Sequence, residues 1–241
     1  VKDGSGARRK AGGPAKDMPG VDPECQVIIR RVRPRTMTSR VKLHTLVLTV
    51  RYLVKHQVEG VIVECGVWRG GSMQAIALTL MENGDTSRDL HLFDTFQGMS
   101  EPTAHDVRVK DGRTAEDLME ERDTTAKIWA MSSLQDVQEG MAEIAYPQDR
   151  IHYHVGKVEE TLPGEAPDRI ALLRLDTDWY ESTKHELEHL YDSLVPGGVL
   201  MIDDYGYWDG SRRATDEWLE ATGHPLLLIP MGSGRIAVKP F

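Results

Sequence analysis

A doubly wound α/β sheet with a C-terminal antiparallel hairpin and an N-terminal helical cap is predicted by three features of the sequence. Short apolar runs alternate with segments of helical period, the pattern of strands laid parallel with helices on both faces. Four of those runs end in acids: Glu64, Asp94, Asp176 and the pair Asp203-Asp204. The first run leads into a glycine-rich turn, and in open α/β sheets ligands bind at the carboxyl ends of the strands. With 241 residues and 40% hydrophobic content, the chain can bury one sizeable core. The expected organisation is a flexible tail at 1–20 and a single domain at 21–241, with the cap at about 21–58 and a lid-like insertion at about 100–130.

Taken in order, Val41 to Val54 is apolar at helical spacing and predicts a helix on the body. Val61-Ile62-Val63 predicts a buried strand ending in Glu64, and Cys65 to Ser72 a tight turn. Ser72 is then the N-cap of a helix Met73–Glu82. Leu90 to Phe93 predicts a second strand closed by Asp94. Residues 100–130 are charge-dense and aperiodic, as expected of an insertion. Ser133–Ile144 reads as a helix, and Ile151–Val155 and Ile170–Leu175 as strands. Thr183 and Glu186 form a T-x-x-E capping box that opens a helix to Leu194. Pro196-Gly197-Gly198 stops that helix before a strand Val199–Ile202. A helix near Arg213–Ala221 follows, and Leu226–Ile229 and Arg235–Val238 flank a Gly-Ser-Gly turn as a hairpin.

Charge narrows the partners. Residues 1–40 carry ten Lys and Arg against four Asp and Glu, whereas the other 201 carry 19 against 34. So acidic a body repels nucleic acid, whose binding rests on phosphate contacts. No apolar run approaches the roughly 20 residues of a membrane span, and no apolar segment follows the N-terminal positive charges to make a secretory signal. Cys25 and Cys65 are too few for a disulfide scaffold. A cytoplasmic protein is expected.

The strand-end acids carry the chemistry. The turn spacing is G-x-x-x-G-G, so the dinucleotide fingerprint is absent, and Glu64 just before it disfavours a phosphate. An acid there suits a cationic amino group, while Asp94 is placed to bond ribose hydroxyls. A ligand with both ends is S-adenosylmethionine. If the strands ending in Asp176 and Asp203 are neighbours, their ends lie about 5 Å apart. Asp176, Asp178, Asp203 and Asp204 would then repel unless a proton or a cation intervenes, and a hard ion such as Mg²⁺ fits an all-oxygen set. Solvated acids at strand ends, one of them capping a helix, are the simpler alternative.

His185-Glu186-Leu187-Glu188-His189 matches H-E-x-x-H, but both histidines fall nearly opposite the apolar stripe Leu187, Leu190, Tyr191 and Leu194, away from any cleft. His105, His152 and His154 have no evident partner. Trp68, Trp179, Tyr180, Tyr205, Tyr207 and Trp208 ring the acids and serve either packing or stacking on an acceptor.

Four ordered motifs, V-E-C-G-V-W-R-G-G-S from Val63, F-D-T-F-Q-G-M from Phe93, L-D-T-D-W-Y-E-S-T from Leu175 and P-G-G-V-L-M-I-D-D-Y-G from Pro196, resemble the macrocin O-methyltransferase family. Its members methylate sugar hydroxyls on bacterial antibiotics. The resemblance runs from about Arg35 to the C-terminus. It implies a Rossmann-like class I methyltransferase sheet, S-adenosylmethionine as donor and Mg²⁺. By motif position, Asp176, Asp203 and Asp204 would hold the metal and Asp178 would be the general base. Glu64, Gly66, Ser72, Asp94, Gly98 and Asp176 would line the donor site, joined by Thr36 and Met37 from the N-terminal side. Gly156 and Val158 would approach the adenine, where Val158 replaces the aromatic often found in the family. A glycosylated small-molecule acceptor and a homodimer or larger homo-oligomer are implied. Two other classes stay open: a glycosyltransferase using Asp176-Thr177-Asp178 as its D-x-D, and a non-catalytic donor-binding protein. Within the leading class the acceptor could instead be a phenol or catechol.

Overall fold

The computed structural model describes residues 18–240, so the tail expected at 1–20 falls, up to Asp17, outside the described residues. Seven strands form one mixed sheet in the order β3-β2-β1-β4-β5-β7-β6. The strands β1 (Val61–Cys65), β2 (Leu90–Asp94), β3 (Ile151–Val155), β4 (Ile170–Leu175) and β5 (Leu194–Ile202) run parallel. The hairpin of β6 (Ile229–Met231) and β7 (Gly234–Val238) closes the sheet antiparallel to β5. The strand order reverses between β1 and β4, so the crevice of a doubly wound sheet opens there.

Successive residues of each inner strand point to opposite faces, and both faces are dry. Ile62 and Leu172 join the core under α1 (Pro23–Val32), α2 (Arg40–Lys55) and α3 (Gly71–Glu82). Val63 and Leu173 join the core under α7 (Tyr180–Leu190) and α8 (Asp209–Thr222). The N-terminal cap is therefore α1 and α2 packed on α3. In the insertion, α4 (Ala115–Glu120) packs with Trp179 and Trp208, whose rings meet edge to face 5.0 Å apart.

Four local expectations are corrected. Gly70, with φ +77°, is the N-cap of α3, and the Ser72 hydroxyl inside the first turn turns instead to Glu64 at 2.5 Å. Thr183 and Glu186 make no capping box, because α7 starts three residues earlier, at Tyr180. The acid at that helix start comes from the insertion: buried Asp106 accepts from the Tyr180 backbone N–H at 2.7 Å. A distant carboxylate on the otherwise unpaired N–H groups of a buried helix start thus overrides a local motif. Pro196-Gly197-Gly198 lies within β5 and does not stop α7, which ends at Leu190. Leu226–Leu228 are irregular, and β6 begins only at Ile229.

The histidines without evident partners have them. His152 lies 3.2 Å from Asp89, His154 bonds Glu165, and His105 lies 3.0 Å from Arg213. On β2, His91 lies 3.0 Å from His154 and 4.7 Å, ring to ring, from His152. Burial first, then those two neighbouring rings, pushes His91 down to about 4. The unfolded chain binds a proton at this residue below about 6.5 that the native protein refuses until about 4, so stability falls with pH across that window. Urea midpoints measured between these values are expected to fall more steeply for the native sequence than for His91→Gln; parallel slopes would contradict the assignment.

Candidate active site

The site is assembled where the ends of β1, β4 and β5 meet the N-terminal cap and the insertion. Leu175 of β4 is in register with Ile202 of β5, so Asp176 follows one strand directly beside the Asp203-Asp204 pair of the next. One oxygen from each of Asp176, Asp203 and Asp204 lies within 4.8 Å of the others. Gly66, at φ +83°, carries the turn after β1 across the end of β4, where a Cβ would overlap the Asp176 carbonyl oxygen.

Arg174 sits beneath the acids with its side chain fully buried. Its guanidinium bonds Glu64, Asp176 Oδ2 at 2.8 Å and Asp203 Oδ1 at 2.7 Å, and it donates to the Thr38 hydroxyl at 3.0 Å. Lys42, from α2, donates to Asp203 Oδ2 at 2.5 Å and to the Asp203 carbonyl at 2.8 Å. Neither cation was singled out from the sequence, yet each left a signal. Arg174 is the one polar residue in the otherwise apolar run Ile170–Leu175, and Lys42 opens the buried stripe Leu46, Val50 and Leu53. A base at a core position needs an acid to meet.

The carboxylates outnumber these cations. Glu64, Asp176, Asp178, Asp203 and Asp204 face two positive side chains. Burial raises Asp203, but Arg174 and Lys42 outweigh it and hold that carboxyl below its usual range. Burial, then Asp178 and Asp203, pushes Asp204 well up, and its Oδ2 has no partner. Burial likewise raises Asp178 to about 7, against an opposing hydrogen bond from Asp204. Asp178 stands on a backbone with φ +70°.

These groups open into a cavity of about 610 Å³. Thr36, Met37, Gly66 and Ser72 line it from the cap and first turn, and Asp94, Gly98, Gly156 and Val158 from the β2 and β3 ends. Asp176, Asp178, Asp203 and Asp204 form its floor, while Arg108, Leu118 and Arg122 of the insertion wall the far side with Trp208. Two residues differ from their expected settings. Glu64 does not line the cavity: it is fully buried, with Oε1 taken by Arg174 and Ser72 and Oε2 without a partner. Asp94 lines it but also organises it, accepting from the Val67, Trp68 and Phe96 backbone N–H groups at 2.7, 3.0 and 2.7 Å. Arg35, unassigned beforehand, holds the cap against the turn by donating to the Arg69 carbonyl and pairing with Asp136, each at 3.0 Å. Trp179 is a buried packing residue away from the cavity, whereas Trp68, Tyr207 and the largely buried Trp208 line it.

Residues 31–229 match the family model described as macrocin-O-methyltransferase (TylF). The chain is 34% identical over 183 residues to an 8-demethyl-8-(2,3-dimethoxy-α-L-rhamnosyl)-tetracenomycin-C 4'-O-methyltransferase of Streptomyces olivaceus, covering 76% of this chain and 67% of the relative. It is 30% identical to the mycinamicin III 3''-O-methyltransferase of Micromonospora griseorubida, covering 78% of this chain and 71% of the relative. Among solved structures, the O-methyltransferase NovP superposes with a TM-score of 0.74 at 26% identity, over 86% of this chain and 83% of its own. The calicheamicin methyltransferase CalS11, at 21% identity and a TM-score of 0.60, covers 95% of this chain and 98% of its own and shares the fold. Because the family match spans α2, the glycine turn and all four acid-bearing strand ends, the D-x-D glycosyltransferase and non-catalytic alternatives fall away: the chain belongs to the macrocin-O-methyltransferase family and is an S-adenosylmethionine-dependent O-methyltransferase.

Proposed function

We propose that the enzyme methylates a hydroxyl of a sugar unit in a bacterial natural product, with Mg²⁺ held by Asp176, Asp203 and Asp204 and with Asp178 as general base. The observation that carries this reading is the surplus of buried carboxylates at one end of the cavity. After Arg174 and Lys42 are matched, three acids remain uncompensated, and Asp204 presents a buried oxygen with no partner. A divalent ion with oxygen ligands suits that set. When bound, it supplies positive charge that stabilises a developing alkoxide. The relatives named for a rhamnosyl-tetracenomycin and for mycinamicin III support an acceptor of this class.

The chain's own groups divide the remaining work. Gly66 lets the donor approach the backbone, while Thr36 and Met37 cover it from the cap. Glu64 braces the turn from beneath through Ser72 and Arg174, and Asp94 shapes the turn beside the ribose position. Gly156 and Val158 flank the adenine end. Asp178 takes the proton of the acceptor hydroxyl, and the insertion holds the acceptor in line with the sulfonium methyl. Assembly as a homodimer or larger oligomer belongs to the same proposal, and sedimentation of the protein alone reads it.

Calorimetric titration with S-adenosylhomocysteine, in Mg²⁺ and again in EDTA, is the test. Binding is expected in both buffers, with turnover of glycosylated acceptors only in Mg²⁺. No binding in either buffer would remove the reading, and full turnover in EDTA would remove the metal.

A further inference from the structure

The insertion sorts its charges by side. Residues 100–130 hold eight Asp and Glu against five Lys and Arg, so the segment is acidic as a whole. Yet Arg108, Arg122 and Lys127 line the cavity, and none of the eight acids does. The acids are engaged elsewhere or face solvent. Asp106 holds the start of α7, Asp111 pairs with Arg108 at 2.6 Å, and Glu121 pairs with Arg113 at 2.6 Å. Asp123 accepts from the Thr125 backbone N–H at 2.9 Å, and the other four are exposed.

Arg122 is uncommitted. It is flanked by Glu120, Glu121 and Asp123, yet its guanidinium makes no ion pair or hydrogen bond among the described residues. Its main chain is held at the end of α4: the carbonyl accepts from Trp129 Nε1 at 3.2 Å, and the N–H donates to the Met119 carbonyl at 3.3 Å. A fixed backbone thus presents a free fork of N–H donors to the cavity, beside buried Leu118. This wall stands at the acid end. Arg108 bridges to Trp208, whose N–H donates to the Asp204 carbonyl at 3.0 Å, whereas Gly156 and Val158 follow β3 at the opposite edge of the sheet. A neutral sugar gives a guanidinium no charge to meet, but a phosphate or a carboxylate matches its fork with two parallel bonds.

We propose that the acceptor binds as an anion: Arg122, with Arg108 and Lys127 on the same wall, receives a phosphate or carboxylate that the acceptor carries beyond the hydroxyl to be methylated. The proposal deepens the sugar-methylation reading and rests on it. A phosphate would come from a sugar still joined to a nucleoside diphosphate, and a carboxylate from a finished glycoside with an acidic aglycone.

Inorganic pyrophosphate and malonate are the probes. Each is titrated calorimetrically with and without S-adenosylhomocysteine, in EDTA so that no metal bridges the anion to the acids. At least one is expected to bind the unaltered enzyme, and Arg122→Gln to weaken that binding about tenfold or more, as for the loss of a charge-assisted pair. Lys110→Gln removes an exposed charge of the same insertion outside the cavity, and is expected to change the affinity less than about twofold, because solvent and salt screen it. Affinity for S-adenosylhomocysteine is expected to be the same in all three proteins. The anion more weakened by Arg122→Gln identifies the source: pyrophosphate a nucleotide-linked sugar, malonate an acidic aglycone. Binding of neither anion, undiminished binding by Arg122→Gln, or an equal loss in Lys110→Gln would overturn the proposal. Absence of S-adenosylhomocysteine binding by the unaltered enzyme would instead strike the methyl-transfer reading.

Discussion

Asp178→Asn is expected to remove methyl transfer while leaving S-adenosylhomocysteine binding and Mg²⁺ affinity close to those of the unaltered enzyme. Losing a positioned general base costs roughly 10²–10⁴-fold in rate. The substitution is otherwise mild. Asn has nearly the shape of Asp and tolerates the positive φ that Asp178 adopts, so the loop has no reason to move. Asp178 is also outside the set whose oxygens converge within 4.8 Å, which leaves the metal ligands intact. The pH dependence supplies an independent reading. A base works only when ionised, and burial raises Asp178 to about 7, so turnover is expected to climb with pH through that region. A divalent ion beside it moves the rise to lower pH, since a nearby positive charge favours the carboxylate. In the Asn variant the residual rate is expected to lack that limb. Undiminished turnover, or an unchanged limb, would remove Asp178 from the role of base.

The sheet, its hairpin and the row of acids were legible in the sequence because each has a local signature. A short apolar run closed by an acid needs no knowledge of the rest of the chain, and the register of β4 with β5 then brings Asp176 beside Asp203. What escaped was the countercharge. Lys42 and Asp203 are 161 residues apart, and Arg174 and Glu64 are 110 apart, so no window of sequence holds both partners. The same reason explains the failed capping box. Thr183 and Glu186 have the right spacing, but Asp106, 74 residues upstream, already supplies the acid at the start of α7. Glu64 and Asp94 show the limit of reading a residue type as a role. Both stand where expected, yet Glu64 turns toward Arg174 and Ser72, and Asp94 spends three acceptor positions on its own loops.

Arg174→Met is expected to be the most destabilising change at the site. It would strip Glu64 and Asp176 of their cation and leave Asp203 with Lys42 alone. Removing one partner of a buried ion pair costs about 3–5 kcal/mol, because the charge left behind has neither water nor a counterion. For a chain of this size that corresponds to a fall in melting temperature of roughly 6–20 °C. Methionine fills similar space, so the loss reports charge more than packing. Mg²⁺ discriminates between explanations. If the acids form the ion's site, the ion replaces part of the lost countercharge, and it is expected to raise the melting temperature of Arg174→Met more than that of the unaltered protein. Binding to the native state alone stabilises by mass action, so the two increments compare the two affinities directly. A melting temperature within about 2 °C of the unaltered protein, below the shift expected for the loss of 1 kcal/mol, would mean that the acids take up protons in place of the guanidinium. Acids that neutralise themselves so readily would have no surplus charge with which to hold a divalent ion.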